Sequence, residues 1–576
     1  VKNCYNTGSV DEAGIVGTAY SGSSVTYCHN VGEITGYLGE PICSISSGSN
    51  ITIENCYYLA DSETDSVDGT TYKTADQFAN QDIQMVTKLL NSGENAGNWK
   101  QGDGYPVLAQ VYTLTVNGGT GSGTYGVGTE VTVTAEVPDG YVFAGWDGID
   151  GLIVEAGQPA EDSVSTTFLM PKRDVTLTVK FESIVPTRPA GDGTSGNPFE
   201  ISTVGELYWF AGFVNGTIEK PADITVSIEK ACAKMMNDIT VNRNLLTKDY
   251  ALNVSGEDTD LLAVWTPIAP PNGYKGTFDG QGYAISGIYY NPGIDTAFYS
   301  TYYAGFFGCY IDDGGIVRNL TLKDTYIGAP REKSTYDAGG IAGMVASGGT
   351  VENCHFDGTV TADDTNGTYT IGGIAGRNQG VIRNCTTKGL VKGYTKGDIG
   401  GIAGKVARYA EDGGYVIGCV NEATVKNTRS DDVLIYTGGI AGELYNGNIR
   451  DCCNKGNVSA VNDPAGIVSY VYGDSSVIRC WNEGDVEGED SAGIVSQLRA
   501  TVKNCYNTGS VNGAGIVARS YSYCSITYCH NVGDADSIVS FIDSYATIEN
   551  CYYLADSETD VLDGTTYKTA DQFADG

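Results

Sequence analysis

Gly339-Gly340-Ile341-Ala342-Gly343 returns as Gly372-Gly373-Ile374-Ala375-Gly376, as Gly400-Gly401-Ile402-Ala403-Gly404 and as Gly438-Gly439-Ile440-Ala441-Gly442. It then thins to Ala465-Gly466-Ile467-Val468, Ala492-Gly493-Ile494-Val495 and Ala514-Gly515-Ile516-Val517. A second landmark keeps step: Cys354, Cys385, Cys419, Cys452, Cys480, Cys505, Cys529 and Cys551, often preceded by Asn or Arg. Successive cysteines lie 31, 34, 33, 28, 25, 24 and 22 residues apart. Periods of about 20–50 residues mark solenoids, propellers or arrays. Short β-rich pieces such as Gly358-Thr359-Val360 fill each period, separated by the turn formers Gly, Asn and Asp. No period holds a helical apolar pattern, and a propeller blade needs a steady length of about 40–45 residues. The shortening periods predict a tapering parallel β-helix, in which equivalent positions of successive coils stack about 4.8 Å apart. Ile341, Ile374, Ile402, Ile440, Ile467, Ile494 and Ile516 should form one internal ladder at glycine-flanked corners. The eight cysteines should form another, since buried Cys behaves as a small hydrophobe.

A longer repeat encloses the short one. Val1 to Val10 recurs word for word as Val502 to Val511, and Asn55 to Asp65 recurs as Asn550 to Asp560. Thr70 to Phe78 returns as Thr565 to Phe573. The sequence therefore reads as an excerpt: the end of one module, a spacer, and most of a second module.

Composition agrees. Gly supplies 78 of 576 residues and Pro only 15, which sets aside collagen-like and Pro-rich disordered chains. The 41 % hydrophobic share supports a large core. A net charge of −36 repels nucleic acid and anionic membrane surfaces. No apolar run approaches the ~20 residues that a membrane span needs.

The solenoid ends need covers. Thr203-Val204-Gly205-Glu206 is a capping box leading into Leu207, Trp209, Phe210 and Phe213, which predicts a helix over about 203–214. Thr74-Ala75-Asp76-Gln77 is another, leading into Phe78, Ile83, Met85, Val86, Leu89 and Leu90, which predicts a helix over about 74–91. Between the solenoids, residues 111–183 alternate like strands, as in Tyr112-Thr113-Leu114-Thr115-Val116. The expected organisation is mainly β: a first β-helix over 1–110, a small module over 111–183, a stiff linker over 184–190, and a second β-helix over 191–576.

Two resemblances follow from these motifs. The Gly-Gly-Ile-Ala-Gly coils, with Asn-Cys-x-Asn-x-Gly-x-Val between them, resemble the GLUG-type repeats of large bacterial surface proteins. Gly191-Asp192-Gly193-Thr194 and Gly276-Thr277-Phe278-Asp279-Gly280-Gln281-Gly282 fit the same pattern. Gly140-Tyr141-Val142-Phe143-Ala144-Gly145-Trp146 with Met170-Pro171 resembles the divergent internalin-type B-repeat, a small β-grasp-like module. Together they imply right-handed β-helices exposed at a cell surface, often in adhesins. The implied partners are an extracellular protein or glycan and other repeats of the same long chain, with no nucleic acid and no inserted membrane.

Chemistry is sparse. Sixteen Cys and three His contain no Cys-x-x-Cys pair, so neither a zinc site nor another resident cofactor is expected. The ladder cysteines should be mostly reduced, because in-register side chains point the same way and do not favour the disulfide dihedral. The Cys524/Cys529 and Cys28/Cys43 pairs leave bridges open. Asp147-Gly148-Ile149-Asp150-Gly151 offers oxygens to Ca²⁺ but lacks the spacing of a known calcium loop. Acidic pairs such as Asp312-Asp313, Asp363-Asp364 and Asp431-Asp432, and the cluster from Asp485 to Asp490, fall at unequal offsets in turns, and no catalytic residue is assigned. His29 and His530 follow ladder cysteines and should point outward. Tyr289, Tyr290, Tyr299, Tyr302 and Tyr303 form the densest aromatic run, beside an insertion that interrupts the coils, and are the candidate ligand anchors. The reading is a non-enzymatic adhesive stalk. Its rivals are a carbohydrate-active β-helix, which an aligned row of acidic or aromatic residues across coils would favour, and a filament subunit.

Overall fold

The computed structural model describes residues 1–36, 39–46, 50–61, 69–95, 98–153, 161–253, 262–292, 303–329, 335–362, 368–394, 396–407, 414–429, 435–554, 565–569 and 572–573. The chain forms two compact units, residues 1–137 with 143–181, and residues 138–142 with 182–576. The fold is mainly β, with long parallel sheets of solenoid type.

In the first unit, strands Tyr5–Asn6, His29–Asn30, Cys56–Leu59 and Thr70–Lys73 stack in parallel in that order. Two short helices follow, Ala75–Ala79 and Met85–Leu90, where the apolar pattern predicts one. Asn80 explains the break. Its side chain accepts hydrogen bonds from the amides of Asp82 and Ile83, and Gln84 then sits in the left-handed region at φ 48°. These local bonds outcompete the helical ones. A hairpin, Trp99–Gln101 with Pro106–Leu108, completes the cover. Beyond it, Val111–Asn117 and Val175–Ser183 pair in parallel at the centre of a four-stranded sheet. A three-stranded sheet lies with it over a core that includes Leu114, Val133, Trp146, Phe168 and Leu177.

The second unit opens with residues 184–190 bonded into it. The Thr187 amide donates to Gly205 O, and Arg188 pairs with Asp223 at 2.6 Å. The helix Val204–Val214 carries a complete capping box between Thr203 and Glu206. Its residues Leu207, Phe210 and Phe213 are fully buried, and Phe210 packs on Phe278 at 5.8 Å between ring centroids.

From Thr350–Glu352 onward each coil repeats one itinerary. A three-residue strand joins a twelve-stranded parallel sheet that runs from Phe199–Ile201 to Thr547–Glu549. One residue then turns in the left-handed region: Asn353, Asn384, Gly418, Asp451, Arg479, Asn504, Tyr528 and Asn550 all have φ between 52° and 63°. Asn and Gly suit that corner because other side chains crowd the backbone there. The ladder Cys comes next, followed by a second run of strands, the Gly-Ile-Ala corner, and a third run such as Ala375–Asn378 and Ala403–Ala407. These strands keep their register while the segments between them shorten, so the taper consumes loops and leaves the stack intact.

Candidate functional site

Three ladders hold the coils of the second unit in register. The first is the isoleucine ladder, with all seven residues from Ile341 to Ile516 at 0 % exposure. Their backbones interlock, each amide donating to the next isoleucine carbonyl from Ile341→Ile374 at 3.0 Å to Ile494→Ile516 at 3.3 Å. Burial of each side chain contributes roughly 2 kcal/mol. The second is the cysteine ladder, whose eight members are buried. Each thiol donates to the carbonyl two residues before it, at 3.2–3.5 Å. A thiol is small enough for the core yet caps the carbonyl at the end of the short strand. Burial pushes the thiols of Cys385, Cys452, Cys480 and Cys505 well up.

The third ladder consists of the Asn two residues after the Cys. Asn421, Asn454, Asn482, Asn507 and Asn531 are buried, and each of the first four donates through Nδ2 to the next Oδ1 at 2.7 Å. Each also donates to a backbone carbonyl two residues on, at 2.7–3.0 Å. The second glycine of the corner makes room for it: a Cβ on Gly439 would stand 2.4 Å from Asn454 Cγ.

The functional interest lies on the outer side of the third strand run. Three residues after each ladder isoleucine stand Met344, Arg377, Lys405, Glu443, Tyr470, Gln497 and Arg519, paired rung to rung. Four residues before each isoleucine stand Asp337, Thr370, Asp398, Tyr436, Asp463, Asp490 and Asn512. Side chains of the first set reach back to the second set on an earlier coil. Arg377 pairs with Asp337 at 3.2 Å, Gln497 donates to Asp463 at 2.9 Å, Tyr470 stacks on Tyr436 at 4.7 Å, and Arg519 pairs with Asp490. Asp398 shares a hydrogen bond with Glu443, which also accepts from Lys405 and from the Tyr472 hydroxyl, each at 2.6 Å. Tyr445, Tyr472 and Tyr470 continue the stack at 4.5 and 4.8 Å. The result is one row of alternating carboxylates, cations and phenols across successive coils.

Its electrostatics divide the carboxyls. Burial and then the neighbouring Glu443 push Asp398 well above the usual carboxylate range. Burial also raises Asp337 against the pull of Arg377, and raises Asp463 against its bonds from Gln497 and Ser496. Glu443 goes the other way: burial opposes its charge, yet bonds from Lys405, Tyr472 and Asp398 hold it below its ordinary value. Within this hydrogen-bonded pair, burial drives Asp398 toward its neutral form while the bonds from Lys405 and Tyr472 favour the Glu443 carboxylate. A cavity of about 270 Å³ lies elsewhere in this unit, lined in part by Cys232, Lys234, Asp279, Gln281 and Arg318. Its charges are largely matched, Lys234 to Glu200 at 3.0 Å and Arg318 to Asp279 at 2.8 Å.

The expected tyrosine anchors fare differently. Tyr289 and Tyr290 are 6 % and 4 % exposed, Tyr289 packing with Leu245 and Leu246 and Tyr290 joining the main core, so neither offers a face to a ligand. Tyr303 is half-buried, its ring 6.1 Å from Tyr310 at the edge of the row. Tyr299 and Tyr302 lie outside the described residues, as do Asp363, Asp364, Asp431 and Asp432. Asp312 pairs with Lys275 at 2.9 Å and Asp147 with Lys180 at 3.2 Å. Among the described residues no three His, Cys, Asp or Glu side chains converge as metal ligands. His29, expected in solvent, is fully buried beneath the first unit's cover, with Nε2 2.7 Å from Pro106 O. The row escaped sequence inspection because its residue types vary; only the offsets of −4 and +3 from the ladder isoleucine repeat.

Residues 112–185 match the divergent InlB B-repeat domain family. No curated protein matches the chain. Among solved structures, a Bacteroides ovatus protein described as a "putative immunoglobulin A1 protease" is 19 % identical and aligns over 67 % of this chain and 88 % of its own. Its TM-score is 0.33, too low to carry weight for fold or function. The comparisons therefore tie one segment, the 112–185 module, to a divergent InlB B-repeat.

Proposed function

We propose that the chain is a structural and adhesive segment of a large secreted bacterial cell-surface protein, its coils being of the GLUG type. The solenoid acts as a stiff stalk, and the accessible members of the row, Arg377, Lys405, Tyr436, Tyr470, Asp490 and Arg519, are its binding surface for an extracellular glycan or protein, held in place by the buried Asp337, Glu443 and Asp463. The single observation that supports this is the row itself. Polar and aromatic side chains repeat at fixed offsets on the outside of a stack whose inner ladders already hold the coils together. Such a track suits an extended ligand, because a polymer meets several coils at once and adds contacts rung by rung. Binding proceeds without turnover and needs no resident cofactor or metal.

A second reading has one observation in its favour. The Asp398–Glu443 pair sets a carboxyl driven toward its neutral form against one held as carboxylate, which supplies a general acid, although the two share a hydrogen bond where glycosidase carboxyls stand about 5–9.5 Å apart. One experiment separates the two. The full chain is screened on glycan and extracellular-matrix arrays, and every hit is assayed for turnover. Binding that falls at least tenfold in Tyr470→Ala, with no turnover, supports the adhesive stalk. Turnover abolished by Glu443→Gln establishes the enzyme instead. Silence on every ligand, or binding indifferent to Tyr470→Ala, removes the row from consideration.

A further inference from the structure

The two units carry the same residue types in the same register beside the cysteine ladder. In the first unit the outward residues beside the cysteine ladder, Tyr5, His29 and Tyr57, pair in register, and the Tyr5 and His29 rings stack at 5.4 Å. The helices and hairpin of residues 75–108 cover it. Phe78 and Trp99 stand 5.6 and 5.1 Å from the His29 ring, and Trp99 and Tyr105 stand 5.8 and 6.2 Å from Tyr5. Trp99 Nε1 and Asn95 Nδ2 both donate to Asn3 Oδ1, at 3.1 and 2.7 Å. Under this cover His29 is 0 % and Tyr57 7 % exposed, while Tyr5 at the edge of the face stays 38 % exposed.

In the second unit the same residue types stand in the same register: Tyr506, His530 and Tyr552, with Trp481 extending the stack on the preceding coil. Trp481 stacks on Tyr506 at 5.9 Å and Tyr506 on His530 at 5.2 Å. The start of the cover is also in place. Thr569 and Gln572 exchange the two capping-box bonds that Thr74 and Gln77 exchange, and Phe573 reaches His530 at 6.1 Å. Beyond that point nothing among the described residues lies over the stack. His530, Tyr552 and Phe573 are half-buried, where His29, Tyr57 and Phe78 are buried. Asn504 occupies the left-handed corner held by Asn3 in the first unit, at φ 55° in both.

We infer that the Trp481–Tyr506–His530–Tyr552 face is a docking surface for a helix-and-hairpin cover of the make of residues 79–108, entering from Phe573 as that segment enters from Phe78. The argument is one of identical chemistry. The receiving residues are the same, their register is the same, and the first turn already points the incoming chain at the stack. The occupant must supply apolar helix residues in the places of Val86 and Leu90, an indole in the place of Trp99 to reach Asn504, and a backbone carbonyl in the place of Pro106 to meet the His530 ring nitrogen. Cover of this kind also removes an aromatic patch that would otherwise invite association.

The test extends the full chain by copying residues 79–109 after Phe573. Two readouts are followed: the titration of His530 by NMR, and the thermal unfolding of the second unit. Docking predicts that the His530 pKa falls by at least one unit toward the value near 4 to which burial drives His29, and that the unfolding temperature rises. Replacing the added copy of Trp99 by Ala should undo most of both changes. An unchanged His530 titration, or an unfolding temperature that stays level or drops, overturns the inference. So does concentration-dependent burial of His530 in the unextended chain, which would make a second copy the occupant.

Discussion

Asn482→Ala tests whether the buried amide ladder carries a real share of the stability of the second unit. Asn482 is 0 % exposed. It donates to Gly484 O and to Asn507 Oδ1, and accepts from Asn454 Nδ2, all at 2.7 Å. Each bond contributes about 1 kcal/mol net, and truncation leaves an amide hydrogen of Asn454 and the Asn507 oxygen short of a partner in a dry site. The expected loss is about 3 kcal/mol, within a range of roughly 2–5. Asn531→Ala supplies the control. Asn531 ends the ladder, accepting from Asn507 at 2.7 Å and donating to Gly533 O at 2.9 Å, so its loss should be near 2 kcal/mol. Asn482→Asp should cost more than Ala at pH 7, because it turns two donors into lone pairs that face oxygen. Its folded-state pKa must then exceed the unfolded one, so that penalty should shrink as the pH falls. A solenoid need not unfold as one unit, so urea titration should be joined to amide hydrogen exchange over residues 476–511. A loss below about 1 kcal/mol, or an equal loss for Asn531→Ala, would refute the ladder as a cooperative element.

Three further outcomes are expected. Tyr528→Asn should stabilise the second unit by about 0.5–1 kcal/mol, because Tyr528 occupies the left-handed corner at φ 57° while 55 % exposed, and chemical denaturation reads the gain. Burial drives His29 down from 6.5 to about 4, so the native first unit binds fewer protons than the unfolded chain. Its stability is full above pH 6.5 and falls by up to about 3 kcal/mol as the pH drops through 6.5 toward 4, which unfolding followed by Trp99 emission should show. Glu443→Gln should destabilise the second unit by about 2–3 kcal/mol at pH 7, since Glu443 is 6 % exposed and would leave Lys405 uncompensated. With its folded-state pKa held below the unfolded value, Glu443 stabilises above about pH 4.5, and the gap between wild type and variant should close as the pH falls below that point, measured by paired melts.

The ladders were legible wherever one residue type recurs. Ile and Cys do so because a coil interior of fixed width accepts few shapes, and the Asn before four of the eight ladder cysteines, at 353, 384, 504 and 550, marks a left-handed backbone corner. The inner Asn ladder stood in the same motif, two residues after the Cys, but a polar residue inside a solenoid does not announce itself until its neighbours above and below are known. The outer row was hidden for the opposite reason. Asp337, Thr370, Asp398 and Tyr436 share a position but not a chemistry, since each is matched to a partner on a neighbouring coil and the apolar interior imposes no single shape there. The Tyr289–Tyr303 run misled because aromatic density does not distinguish core from surface; Leu245 and Leu246, some forty residues away, cover Tyr289. The helix over 74–91 broke at Asn80, where side-chain bonding overrode an otherwise continuous apolar stripe.

The shedding of loops from coil to coil has a mechanical consequence. The hydrogen bonds that join coils run along the solenoid axis, so tension applied to the chain end loads one rung at a time rather than shearing many together. The stack should peel from its end in steps. With cysteine-to-cysteine spacings of 22 to 34 residues, each step releases roughly 75 to 120 Å of slack. The shorter coils lie toward Cys551, so pulling from that end should give small steps first and larger ones later. The segment would then yield gradually under load, paying out length in graded increments while the coils deeper in the stack stay closed.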